Sequence, residues 1–594
     1  MLLFVEKYDK LISDNKHSKE DDMYLDFKVK IPDTKGKIYQ NIIRGTVYIN
    51  YEYDRVYMPE KKYNIPKRTT IGKRCVDDTE MMYPNANYFK YFPDVEIPEK
   101  VKNANRSSCL RIGAFLIIRK IIEEYKLDNM IEQIIGRDSG LFLDLVSYSI
   151  ITENNAGQYY PDYAYNHPLS TTGMKIYSDA KVSEFLNGIT VDQITTFLNK
   201  WNETRDHKER IYISYDSTNK SCQAGDIEVA EIGRPKDGQT KPVFNYSIAY
   251  DQNNREPLFY EEYPGSIVDV SQLQYMLEKA KGYGYEKVGF ILDRGYFSKE
   301  NIRYMDKCGY DFVIMVKGMK KLVSELVLEN KGIFEDKRQN GIREYKVDGI
   351  TVKRQLFLSD EEERYFHIYY NNRKYVSERE VVEVKIDKMS KYLKKQEGKP
   401  VKIDKSFEQY FDLIYYHKGQ KDERFMCAME KEDVIEREIS LCGYFVIVTS
   451  NEMTAKDALV LYKSRDGSEK LFRGDKSYLG NKSMRVQSDE SVDAKVFIEF
   501  VALIVRNKIY TSLKDEMIKN EHKLNYMTVP AALKELEKIE MIRLMDNVYR
   551  LDHAVTAAQK VILKAFGGLN ATYIKDKAMK ISEKLNISSK GNVK

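Results

Sequence analysis

Tyr462, Arg465, Glu469 and Lys476 put an aromatic ring, a fixed cation, a carboxylate and a flexible cation into one short stretch of the chain. At about 100° per residue they project near 0°, −60°, −20° and −40°, so a helix carries all four on one face. A solvated helix scatters such groups; a site that holds a metal and a phosphate collects them. Two aspartates stand upstream where strands are expected to end, Asp216 in IYISYDST and Asp293 in VGFILDRGYFS. Carboxylates brought close together repel, and divalent cations between them relieve the repulsion. Two Mg²⁺ ions about 3.5–4 Å apart, with Mn²⁺ able to substitute, would activate an attacking hydroxyl and stabilise the leaving oxygen of a phosphodiester. Asp216, Asp293 and Glu469 are therefore the candidate catalytic and metal-ligating residues. Asp216 is the candidate to bridge both ions, on a strand expected at the sheet centre. Gly295 lets the backbone beside Asp293 approach metal or substrate, and Phe297 is expected to anchor that turn in the core. Gly467 and Gly474 weaken the helix, and a break at Gly474 would release Lys476 from the shared face.

Taken singly, each acid has a plainer explanation. An aspartate after a strand commonly caps a turn, and a glutamate on a helix commonly faces water. The gaps of 77 and 176 positions are not local motifs, so only a fold can join the three.

That fold must come from several domains, since 594 residues exceed one core. Residues 1–100 read as a strand-rich, basic N-terminal region, for example GTVYINYEYDRVYM. Residues 101–208 turn helical, with apolar residues at three-to-four spacing. From 209 to 318 the pattern is strand, hairpin turning at DQNNRE, helix, buried strand, helix and strand, which implies a mixed α/β sheet. A lysine- and glutamate-rich insertion is expected over 319–440. A buried strand (GYFVIVTS) and the Glu469 helix follow within 441–515. The last region, 516–594, reads as helix, hairpin and helix, either a winged DNA-binding unit or a dimerisation module. Trp201, the one tryptophan, lies in an amphipathic helix and is expected in the core.

Composition narrows the setting. The 96 basic and 91 acidic residues leave a net charge of +5, so a nucleic-acid surface has to come from local clustering. Six cysteines without a C-x-x-C pair and seven histidines without H-x-x-x-H argue against zinc and for reduced thiols. The apolar run VFIEFVALIVRNKIY is too short to span a membrane and contains Glu499, and the N-terminus has no secretory pattern. A soluble cytoplasmic protein, nucleoid-associated when bound to DNA, is the expectation.

The spacing Tyr462-x2-Arg465-x3-Glu469-x6-Lys476 resembles the YREK signature of bacterial insertion-sequence transposases with a DDE triad, and DRGYF around Asp293 resembles their second-aspartate motif. The resemblance covers about 209–515, and the basic strand-rich N-terminus is similar to one subgroup. It implies a ribonuclease H-like core interrupted between the second aspartate and the glutamate by a strand-containing insertion. It also implies cut-and-paste transposition by a homodimer acting on double-stranded DNA, the terminal inverted repeats and the target. By position, Asp216, Asp293 and Glu469 would ligate the metals. Arg465 and Lys476 would hold phosphates of the transposon end, and Tyr462 would pack or hydrogen-bond against the same backbone. Arginine suits a bidentate phosphate grip and lysine a point charge. One departure concerns relatives that capture a flipped base with a tryptophan from the insertion: Trp201 lies outside that segment. Two alternatives stay open, another ribonuclease H-like endonuclease and a catalytically inactive DNA-binding derivative.

Further DNA contacts are sought in basic clusters. The run Lys61–Arg74 has six basic residues and no acid, so Lys67, Arg68, Lys73 and Arg74 are candidates for a phosphate-contacting arm, against a merely solvated loop. Lys388, Lys391 and Lys395 share a helix face, diluted by Asp387, Glu397 and Asp404. The aromatics of RYFHIYYNNRKY offer stacking surfaces for unpaired bases, or simply a core strand and a turn.

Overall fold

A computed structural model describes residues 24, 27–43, 45–60, 62–76, 78–93, 106–205, 210–222, 227–232, 242–267, 269–480, 483–486, 488–520, 524–543 and 548–591. Lys61, the first residue of the basic run, and the N-terminal segment lie outside them. The chain divides into two compact units. One comprises Met1–Lys120, Pro161–Ile176 and Glu516–Lys594; the other comprises Ile121–Tyr160 and Tyr177–Asp515.

The first unit contains a five-stranded antiparallel sheet, in the order Val29–Lys30, Met81–Pro84, Tyr63–Arg74, Thr46–Met58, Ile38–Ile43. One of its faces is closed by Ile49, Ile71, Met82, Tyr88 and Phe89. The helix Ala86–Tyr91 behind it starts on Asn85, whose side chain accepts from the amides of Asn87 and Tyr88. A second sheet of this unit joins Cys109–Arg111 to the hairpin Glu540–Arg543 and Tyr549–Leu551, next to the helices Val529–Leu536 and Ala557–Lys564.

The second unit is built on a large mixed sheet. Its strands are β1 (Ile211–Cys222), β2 (Pro242–Asp251), β3 (Glu256–Pro264), β4 (Val288–Leu292), β5 (Asp311–Met315), β6 (Gly341–Ile342), β7 (Val347–Gln355), β8 (Glu363–Tyr370) and β9 (Tyr444–Thr449), in the spatial order 3-2-1-4-5-9-8-7-6. Short strands Glu231–Ile232 and Ser483–Met484 attach to β2 and β1. β1, β2 and β3 form an antiparallel meander, and β4 pairs in parallel with both β1 and β5. Parallel neighbours need crossover connections, and the helices α1 (Asp269–Gly282) and α2 (Lys299–Cys308) stand where β3 leads to β4 and β4 to β5. β4 is buried at every position, as a strand covered on both faces must be.

The stretch between β5 and β9 contributes to two places. β6, β7 and β8 extend the main sheet, whereas α4 (Asn372–Gln396), reached after α3 (Lys320–Asn330), packs with the hairpin Phe411–Tyr416/Arg424–Glu430 and α5 (Glu432–Leu441) around Ile386, Leu393, Tyr410, Phe411 and Phe425. Two of the four phenylalanine and tyrosine rings of RYFHIYY, Phe366 and Tyr369, are buried in β8, and Tyr365 and Tyr370 are half-buried. Lys388, Lys391 and Lys395 are exposed on α4.

After β9 come α6 (Ala455–Ser464), α7 (Asp466–Tyr478) and the 31-residue α8 (Asp489–Lys519). α8 holds the apolar run inside the core, where Phe497 meets Phe142 and Phe197. Trp201 is fully buried and donates its indole N–H to the Pro257 carbonyl. Among the described residues, no helix is long and apolar enough to cross a membrane.

Candidate active site

The parallel register of β1 and β4 brings the two aspartates side by side. Tyr215 pairs with Leu292, and Asp216 and Asp293 are the next residues along their strands. Neighbouring strands lie about 4.8 Å apart, so these positions are adjacent by construction. Asp293 ends its strand as the spacing predicts: β4 stops at Leu292 and the Asp293 carboxylate accepts from the Arg294 amide at 2.8 Å. Asp216 differs from the expectation of a strand end. It lies in the middle of β1, paired with Ile248, because the apolar and hydroxyl residues after it continue the ladder to Cys222. Its carboxylate accepts from the Ser217 amide at 2.9 Å.

The turn after Asp293 is anchored by Tyr296, not Phe297. Tyr296 is buried and meets Tyr215 ring to ring at 5.4 Å, while Phe297 is half-buried. A Cβ on Gly295 would meet no protein atom within 4 Å, so the space beside Asp293 is open.

The stripe from Tyr462 to Lys476 is carried by two helices, with the break at Arg465 rather than at Gly474. Gly474 is buried inside α7, where a Cβ would lie 2.6 Å from Arg506 Nη1; it serves close packing and does not end the helix. Lys476 therefore stays on α7, half-buried. Tyr462 is buried on α6 among Ile291, Tyr369, Ile447 and Leu459. Burial pushes its phenol up to about 12, opposed by the nearby Arg465 charge.

Arg465, at the junction, is the hub. Its Nη1 lies 2.9 Å from Asp293 Oδ1 and its Nη2 donates to Glu469 Oε1 at 2.7 Å, with the guanidinium 5.4 Å from the Tyr462 ring centre. Burial disfavours its charge, but Tyr462 and the acids Asp293, Asp216 and Glu469 outweigh it and hold the guanidinium protonated. One cation thus feels all three candidate carboxylates. Asp293 and Glu469 share its fork, while Asp216 is linked to it through the field and through the strand register.

The donor chemistry of this trio, hard carboxylate oxygens, suits Mg²⁺ or Mn²⁺. In this structure the guanidinium supplies the compensating charge for two of them, and among the described residues no group of three or more acidic, histidine or cysteine side chains is gathered into a ready metal site.

The basic run lies on the strand Tyr63–Arg74 rather than on a loose arm. Arg68 is engaged by Glu52 at 3.2 Å and stacks on Tyr39 at 3.6 Å, Lys67 lies 3.8 Å from Asp54, and Arg74 donates to Gln40 at 3.1 Å. Lys73 is half-buried on the same strand.

One group went unrecognised in the sequence. Lys220, four residues after Asp216 on β1, is fully buried between Asp475 and Glu499. The charge at Glu499 inside an apolar run was the visible hint; its partner, 279 positions away, was not.

Residues 214–505 match the family model described as the transposase DDE domain, a span that holds all three carboxylates and the stripe. This part of the chain is similar to the transposase DDE domain. Among solved structures, the chain is similar to a piggyBac transposase synaptic complex with hairpin DNA, at 9% identity over 79% of this chain and 82% of that chain, with a TM-score of 0.32. No curated protein matches the chain in sequence.

Proposed function

We propose that the chain is a cut-and-paste DNA transposase that cleaves transposon ends and joins them to target DNA, with Asp216, Asp293 and Glu469 as its catalytic, metal-ligating residues. The observation that carries this reading is Arg465, whose guanidinium draws together Asp293 from a strand end and Glu469 from a helix, beside Asp216 on the adjoining strand. The sheet supports a ribonuclease H-like core: three antiparallel strands continue into two parallel ones in the order 3-2-1-4-5. On this reading 209–318 and 441–515 are the two halves of the core, and 319–440 is its insertion.

Asp216, Asp293 and Glu469 would hold one or two Mg²⁺ ions, which supply Lewis-acid stabilisation of charge on the phosphate oxygens. The chain's own groups do the rest. Arg465 offers a planar fork that fits a phosphate as well as it fits two carboxylates, so an end phosphate competes for it. Buried Tyr462 supports that guanidinium from below, and Lys476 adds a point charge further along α7. Lys67, Arg68, Lys73 and Arg74 form a second phosphate-contacting surface on their strand. A homodimer holding two terminal inverted repeats is the assembly this chemistry serves.

Replacing Asp216, Asp293 or Glu469 by alanine tests the reading. With a terminal duplex taken from the DNA flanking the gene, each variant is expected to lose cleavage and strand transfer while binding within about threefold of wild type, because affinity comes from Lys and Arg contacts to phosphates. Cleavage by Glu469→Ala at the wild-type rate would remove Glu469 from the mechanism.

A further inference from the structure

β1 carries Asp216 and, on the same face, Lys220; α7 carries Glu469 and, on its inner side, Asp475. Lys220 and Asp475 meet in the core, where Lys220 Nζ lies 3.0 Å from Asp475 Oδ2 and donates to Glu499 Oε2 of α8 at 2.5 Å. All three side chains are buried, and the ammonium also lies 4.3 Å from the centre of the Tyr246 ring. We propose that Lys220, Asp475 and Glu499 are positioning residues for the DDE site, an ion cluster that fixes α7 over β1 and so sets the place of Glu469 relative to Asp216. This rests on the transposase reading above.

The distances make the cluster an effective pivot. Four residues of strand separate Lys220 from Asp216, about 13 Å, and six residues of helix separate Asp475 from Glu469, about 9 Å. A shift or rotation of α7 at the cluster is therefore transmitted to the carboxylate. The packing around it leaves little slack. Leu471 and Phe472 are buried beside Asp475, Phe472 meets Tyr246, and at Gly474 the helix backbone touches the Arg506 guanidinium so closely that a Cβ would lie 2.6 Å from it.

Energetics favour orientation over stability as the use of these charges. Removing ions from water costs about as much as their mutual attraction returns, and neutral replacements of similar shape are often no less stable. What the charges add is direction: Lys220 donates to Asp475 and Glu499 and holds both at hydrogen-bond distance, whereas apolar side chains would slide. Groups that hold metal ligands in place without touching the metal typically change metal affinity about 10–100-fold when removed.

The test uses the full chain with the terminal duplex, and Mn²⁺ binding read by electron paramagnetic resonance. Lys220→Met/Asp475→Asn/Glu499→Gln removes the charges of these three residues, leaves those of the neighbouring Lys495 and Arg506, and keeps the shape. Expected are a melting temperature and duplex affinity close to wild type, with Mn²⁺ bound about 10–100-fold more weakly. Wild-type Mn²⁺ affinity in the triple variant would overturn the proposal. Should the triple variant not fold, Asp475→Asn alone carries the same measurement: a loss of at least about fivefold supports positioning, and unchanged affinity overturns it. Asp216→Ala is the control that separates the two readings. If Mn²⁺ binding survives that substitution, the transposase site has failed, whatever Lys220 does.

Discussion

Arg465 holds two acids from different elements in one fork, so its charge and its shape can be removed separately. Arg465→Ala deletes one charge-assisted hydrogen bond and one ion pair to half-exposed acids, each worth up to about 1 kcal/mol. Strand transfer is expected to fall at least about tenfold. Arg465→Lys restores the charge without the planar fork and should recover only part of the loss. An ordinary surface arginine would behave otherwise: both variants would cost under about 0.5 kcal/mol and leave strand transfer unchanged. Strand-transfer rates of the two variants at equal duplex occupancy decide between these accounts. At this scale the candidate residues were legible because their types are rare in combination. Their surroundings were less so. Arg465 was read as one position on a continuous helix face, yet it is the joint between two helices. Tyr296 rather than Phe297 fills the core below the turn, because alternation after a strand end does not say which of two neighbouring rings turns inward.

Elements followed the sequence where one period governed them. β4, β5 and β9 appear as unbroken apolar runs, and the β2–β3 hairpin turns where DQNNRE interrupts two such runs. β1 was legible only in its first half, since the ladder continues through Ser217, Thr218, Asn219 and Lys220, residues that do not advertise a buried strand. The sheet supplies a prediction of its own in β8. His367 is buried between Thr351, 2.9 Å from Nδ1, and Thr449, 3.0 Å from Nε2, and burial pushes its imidazole down to about 4. Neutral in the fold above about pH 4, it takes up a proton on unfolding between that value and its ordinary one near 6.5. The unfolded state therefore binds more protons between about 6.5 and 4. Stability is present in full above that window and is lost as pH falls through it, by about 3 kcal/mol. Urea denaturation at pH 7 and pH 4.5 should show this loss in wild type and a smaller one in His367→Gln. An equal loss in both would assign the acid sensitivity to other groups.

Across the whole chain, charge is nearly balanced, so affinity for DNA depends on where the cations stand. The strand Tyr63–Arg74 offers two kinds. Arg68 is already committed to Glu52 and Tyr39, so Arg68→Ala should destabilise its sheet by about 1 kcal/mol as well as weaken binding. Lys73→Ala should leave the melting temperature in place and reduce the slope of log K against log salt by about 0.9, the signature of one lost phosphate contact. Duplex binding at several salt concentrations measures both. The sequence showed the basic run but not its pairing, since Glu52 and Tyr39 reach it only through the antiparallel sheet. The same limit applied between β5 and β9, where a lysine-rich stretch concealed β6–β8 joining the main sheet.

On the proposed reading, Asp216, Asp293 and Glu469 would form one metal site whose charge Arg465 balances until DNA arrives. Manganese anomalous diffraction from the full chain bound to its terminal duplex tests it directly. Anomalous peaks are expected within about 2.5 Å of oxygens from all three carboxylates, with the Arg465 guanidinium turned from Asp293 and Glu469 onto a phosphate of the end. Manganese bound elsewhere, or Arg465 still joining the two acids with duplex in place, would contradict the account.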